Sequence, residues 1–132
     1  MATTIAKSLD LIIATCRNYF SAINIIRHDI YKSHAILQLE AAYGQYHIRI
    51  REILITDGTR KYSYYIFINT EIIAGFDNAS DPEALRLKYG KNYTQHRLEL
   101  IPHAHSAGKQ TVRLTEELHC VDFLAWVKQN LD

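Results

Sequence analysis

Apolar residues at the start of the chain recur at three- and four-residue steps: Ile5, Leu9, Ile12, Ile13, Cys16, Phe20 and Ile23, with Lys7, Asp10, Arg17 and Asn24 largely between them. That spacing predicts an amphipathic helix over about residues 4–26. From Ile30 the step shortens to two. Ala35, Leu37, Leu39 and Ala41 alternate with His34, Ile36, Gln38 and Glu40, and beyond a turn at Tyr43-Gly44-Gln45, Tyr46, Ile48 and Ile50 alternate with His47, Arg49 and Arg51. This is the pattern of a hairpin with one buried face. Asp57-Gly58 predicts the next turn, and residues 61–69 and 72–76, rich in Tyr, Ile and Phe, predict a second hairpin around Asn69-Thr70-Glu71.

Beyond Phe76 the composition shifts to Asp, Asn, Ser, Pro, Gly and Lys, so residues 77–95 read as a long connection holding one short helix near residues 83–89. A fifth strand is expected over residues 97–101, leading into a loop with Pro102-His103-Ala104-His105, and a short strand over residues 111–114. Thr115 reads as the N-cap of a closing helix, with Glu116 and Glu117 in its first turn and Leu118, Val121, Leu124, Val127 and Leu131 on its apolar stripe. The expected fold class is α+β: one antiparallel meander sheet of about five to six strands over residues 30–114. Helices at 4–26 and 115–131 pack on the same face, because the early turns are too short for parallel crossovers. At 132 residues, one domain is expected.

Composition narrows the function classes. Fifteen Lys and Arg against 14 Asp and Glu leave a net charge of +1, without the global basic field of an obligate nucleic-acid binder. Any such binding must use a local patch. Cys16 and Cys120 fall in stretches that read as buried helix, which fits a reducing compartment better than a disulfide framework. The first ten residues carry Thr3, Thr4, Lys7 and Asp10, and no apolar run approaches the about 18 residues of a membrane span. A cytoplasmic protein without membrane contact is expected.

Few residues could carry chemistry. His103 and His105 flank one small residue, a placement suited to general acid-base work or metal ligation, although H-x-H lacks the third ligand of a specific metal motif. A structural role is the competing reading. His47, Arg49 and Arg51 share one strand face, where guanidinium groups could grip phosphate or simply meet water. Glu52 has the opposite parity and falls among Ile48 and Ile50, so it needs a buried Arg or a place at the rim. Lys61, Tyr62 and Tyr64 sit in an aromatic run beside basic residues that could stack bases or pack as ordinary strand. Asp77, just after a strand, could orient an imidazole or begin a turn.

Taken in order, Arg51-Glu52, Arg60-Lys61-Tyr62-Ser63-Tyr64, Phe76-Asp77-Asn78-Ala79 and Pro102-His103-Ala104-His105 before a Leu-rich closing helix resemble the TumE family of small bacterial toxins from type II toxin-antitoxin modules. The likeness covers roughly residues 35–131. It departs from the family pattern where Tyr65 replaces a His, where Ser80-Asp81-Pro82 replaces Pro-His-His, and where the H-H-K-H run is thinned to His103-Ala104-His105. The resemblance implies a growth-inhibiting toxin held silent by a cognate antitoxin protein, with RNA as the expected target and a homodimer as a further expectation.

In that scheme His103 and His105 supply a general base and acid, and Asp77 orients an imidazole. Glu52 is a further catalytic candidate. Arg49 and Arg51 stabilise phosphorane charge and, with Lys61, Tyr62 and Tyr64, contact substrate, and no cofactor is required. A divalent metal on His103, His105 and Asp77 is the alternative. The rival from another class is a non-catalytic module of the same fold that binds nucleic acid or protein, with the histidines purely structural. Convergence of His103, His105, Asp77 and Arg51 at an open cleft separates the two from rings packed into core.

Overall fold

The computed structural model describes residues 3–132. Thr3 caps the first helix, α1 (Thr4–Tyr19), its Oγ1 accepting from the Ala6 N–H at 3.2 Å. Ile5, Leu9, Ile13 and Cys16 form its buried stripe. The helix ends seven residues earlier than its apolar spacing predicts, because Phe20 turns to extended backbone. Ile23, Ile25 and Ile26 then behave as the β-branched residues they are. They open an edge strand, β1 (Ile23–Ile30), whose Ile23 and Ile25 stand opposite Ala41 and Leu39. Three- and two-residue spacing coincide at Phe20 and Ile23, which is why the pattern could be read as helix.

Six more strands follow: β2 (His34–Tyr43), β3 (Tyr46–Ile55), β4 (Arg60–Ile68), β5 (Glu71–Asp77), β6 (His103–His105) and β7 (Val112–Leu114). They lie in chain order in one sheet, every neighbour antiparallel. The meander therefore has seven strands, not five to six. The expected turns fall where Gly44, Gly58 and Asn69 take positive φ, a conformation that glycine and, less readily, asparagine accept.

Two corrections concern the C-terminal third. Residues 97–101 form no strand; the strand is His103–His105 itself, so both histidines sit on paired backbone rather than in a loop. The closing helix, α3 (Cys120–Leu131), begins five residues after Thr115, with Asp122 Oδ2 accepting from the His119 N–H at 2.8 Å. The Thr115 hydroxyl bonds to the Glu116 carbonyl and its N–H to the Pro102 carbonyl, so Thr115 trails β7 instead of capping a helix.

Both terminal helices cover one face of the sheet. Leu9 and Cys16 from α1 and Phe123, Leu124 and Val127 from α3 share one core with Leu37, Leu39, Ile48, Ile50, Tyr64, Ile66 and Phe76. On the other face, a second small core gathers Ala84 and Leu85 of α2 (Pro82–Tyr89) against Ile101, with Tyr89, Tyr93 and Val112 around them. Asp81 caps α2, accepting from the Glu83 and Ala84 N–H groups. No helix among the described residues is long and apolar enough to cross a membrane.

Candidate functional site

Register builds the site. One row across the sheet reads Arg51, Ser63, Asp77, His103, and the next, two residues along each strand, reads Arg49, Tyr65, Gly75, His105. Period-two alternation puts all of these on the face away from α1 and α3. Asp77 ends β5 and His103 opens β6 opposite it. His103 Nε2 lies 3.2 Å from Asp77 Oδ1, His105 Nε2 lies 3.7 Å from Asp77 Oδ2, and the two Nε2 atoms are 3.2 Å apart. His103 is 1% exposed and His105 9%.

Each member is held from behind. The Ile101 carbonyl meets His103 Nδ1 at 2.6 Å, and Asp77 accepts from the Ala79 N–H at 2.9 Å and from the Tyr65 hydroxyl at 2.5 Å. The Tyr65 ring reaches Asp77 by lying over Gly75, where an added Cβ would stand 2.1 Å from Tyr65 Cε1. A glycine inside an apolar strand is the sequence sign of such a close approach. Burial, reinforced by Asp77, keeps the Tyr65 phenol well above its ordinary pKa, so it remains a donor. Burial first, and then the neighbouring His103, lowers the His105 imidazole below its usual value, which favours a neutral ring. His105 Nδ1 is buried without a partner.

Asp77 forms a wall shared by two clefts. One, of about 530 Å³, is bounded by Arg51, Lys61, Ser63, Tyr65 and Lys109; the other, of about 370 Å³, holds both histidines with Asp81, Glu83 and Lys109. Elsewhere on this face the cations are occupied: Arg27 by Asp29, and Arg49 and His47 by Glu40. No ion pair among the described residues engages Arg51, Lys61 or Lys109; the Lys109 ammonium stands over the Tyr65 ring at 5.0 Å.

The remaining candidates lie elsewhere. Glu52 is fully buried on the helix-covered face, where Arg60 donates to both its oxygens at 3.0 and 3.1 Å and the Tyr64 hydroxyl adds a third bond. Burial raises its pKa, opposed by Arg60 and Tyr64. This is the buried-Arg solution its parity required, and it separates Glu52 from the histidines. Tyr64 is wholly buried against Phe123, and Tyr62 is 4% exposed with its hydroxyl accepting from the Leu118 N–H. Neither ring is free to stack a base. Arg49 is exposed but tied to Glu40 and set over Phe67. Sequence reasoning assigned no role to Tyr65, Gly75, Ile101 or Lys109; only Gly75 carried a legible signal.

No protein-family model, curated protein or solved structure matches this chain.

Proposed function

We propose that the protein is a growth-inhibiting toxin that cleaves RNA, with its reactive centre at Asp77, His103 and His105 and its phosphate-binding surface at Arg51, Lys61 and Lys109. The observation that carries this reading is Asp77: its carboxylate contacts both imidazoles and also walls the cleft in which three cations lack carboxylate partners. A phosphodiester held by those cations would meet the centre at Asp77. Guanidinium and ammonium groups suit the standing charge of a bound phosphodiester, and the imidazole-carboxylate cluster suits activation of the attacking oxygen. The resemblance to TumE toxins supports the biological setting, including an antitoxin that would cover this face.

One observation favours a non-catalytic module instead. The histidine rings are almost sealed, with little surface for substrate contact. Induced expression in bacteria distinguishes the two. Wild type should slow growth, co-expression of the neighbouring reading frame should relieve it, and His103→Ala with His105→Ala should abolish it while the purified variant stays folded by circular dichroism. Undiminished inhibition by the double variant would leave the binding-module reading in its place.

A further inference from the structure

We propose that Asp77, His103 and His105 form a binding site for one divalent first-row transition-metal ion. The Ile101 carbonyl requires a hydrogen on His103 Nδ1, so in the neutral ring Nε2 presents a lone pair. That lone pair faces Asp77 Oδ1 and His105 Nε2, each at 3.2 Å. Asp77 Oδ1 already accepts from the Ala79 N–H and Oδ2 from the Tyr65 hydroxyl. A neutral pair of rings can place at most one hydrogen, on His105 Nε2, between three electron-rich atoms. A cation satisfies all three together.

Geometry agrees. Metal-ligand bonds of about 2.1 Å imply ligand-to-ligand edges of about 3.0 Å in cis-octahedral and about 3.4 Å in tetrahedral arrangements. The Nε2–Nε2 and His103 Nε2–Asp77 Oδ1 separations, both 3.2 Å, fall between those values, and His105 Nε2 approaches the other carboxylate oxygen, Oδ2, at 3.7 Å, so a small rotation of Asp77 completes the set. The supporting bonds are those that metal sites use: a ligating imidazole fixed through its other nitrogen by a backbone carbonyl, and a ligating carboxylate held by donors of its own. Two nitrogens and one oxygen favour Zn²⁺, Co²⁺ or Mn²⁺ over Mg²⁺ and Ca²⁺, which prefer oxygen alone. The smaller cleft, lined by Asp77 and both histidines, adds the acidic side chains of Asp81 and Glu83.

The ion's binding stands independently of the toxin reading, but its role rests on it: a metal-bound water of lowered pKa would release a proton to solvent and attack phosphorus as the P–O bond to the leaving ribose oxygen breaks and that oxygen takes up a proton from solvent, in place of direct proton transfer by the histidines.

The test uses chelator-stripped full-length protein titrated with Zn²⁺ by calorimetry and with Co²⁺ by its visible absorption. One ion per chain should bind, and Asp77→Asn and His103→Ala, checked for folding by circular dichroism, should each weaken binding at least 100-fold. Tyr65→Phe, which loosens only the ligating carboxylate, should weaken it by roughly 10-fold. Absence of stoichiometric binding to folded wild type, or equal binding by the triad variants, overturns the site. Tight binding without RNA cleavage by the loaded protein retires the ribonuclease reading and leaves the site standing. Cleavage that persists in excess chelator overturns the ion's part in the chemistry and leaves the ribonuclease reading standing.

Discussion

Tyr65 lies flat over Gly75 and donates its hydroxyl to Asp77 Oδ2 at 2.5 Å. The bare α-carbon of Gly75 is thus what lets a tyrosine from the neighbouring strand orient the carboxylate between the two histidines. Gly75→Ala should push the ring off Asp77 and destabilise the fold by about 1–3 kcal/mol, as overpacking does. Tyr65→Phe should cost only about 1 kcal/mol, the worth of one hydrogen bond. Denaturant melts of the two variants check this ordering; equal costs would mean that the ring moves freely.

Glu52 and Arg60 form a buried pair on the sheet face opposite Asp77 and the histidines. Glu52→Ala or Arg60→Ala should each destabilise by about 3–5 kcal/mol, because each strands a buried charge. Replacing both, Glu52→Leu with Arg60→Met, should cost clearly less than the sum of the single losses. Additive losses in urea melts would contradict a direct pairing.

Leu124, 3% exposed in the core shared by α1 and α3, should lose about 2–5 kcal/mol on truncation to Ala. Val121, one turn earlier and 59% exposed, should lose within about 0.5 kcal/mol. Thermal melts showing similar losses at both positions would mean that the helix face is misassigned.

Arg51→Lys keeps the charge in the larger cleft but loses the two-pronged donor. It should raise the KM for an RNA substrate with kcat little changed, as expected for a group that binds phosphate away from the reacting atoms. A fall in kcat alone would place Arg51 in the chemistry itself.

Much of this arrangement was legible in period-two spacing. Ala35 through Ile50 gave both the hairpin and its buried face, and the parity of Glu52 called for a buried Arg or a place at the rim, of which the fold uses the first. The edge strand at Ile23–Ile30 was hidden because its apolar residues continue a helical spacing. The start of α3 was hidden because Thr115 offers good capping chemistry that the backbone uses elsewhere. His103, His105 and Asp77 could be nominated as residue types, but their convergence depends on pairing β5 with β6 across some 25 residues of connection. No local pattern encodes that register. For the same reason Tyr62 and Tyr64 looked like partners of Lys61, although alternation sends them into the core.

The central claim is that the Asp77 cluster cleaves phosphodiesters held at the cation cleft. Its most direct test is cleavage of a bacterial RNA pool by purified protein, comparing wild type with Asp77→Asn, an isosteric change that removes the charge both histidines face and leaves one acceptor oxygen for the Ala79 and Tyr65 donors. We expect wild type to produce discrete fragments and Asp77→Asn to produce none, with the variant folded by circular dichroism. Fragmentation by the variant at the wild-type rate, or none by wild type with its metal supplied, would contradict the account.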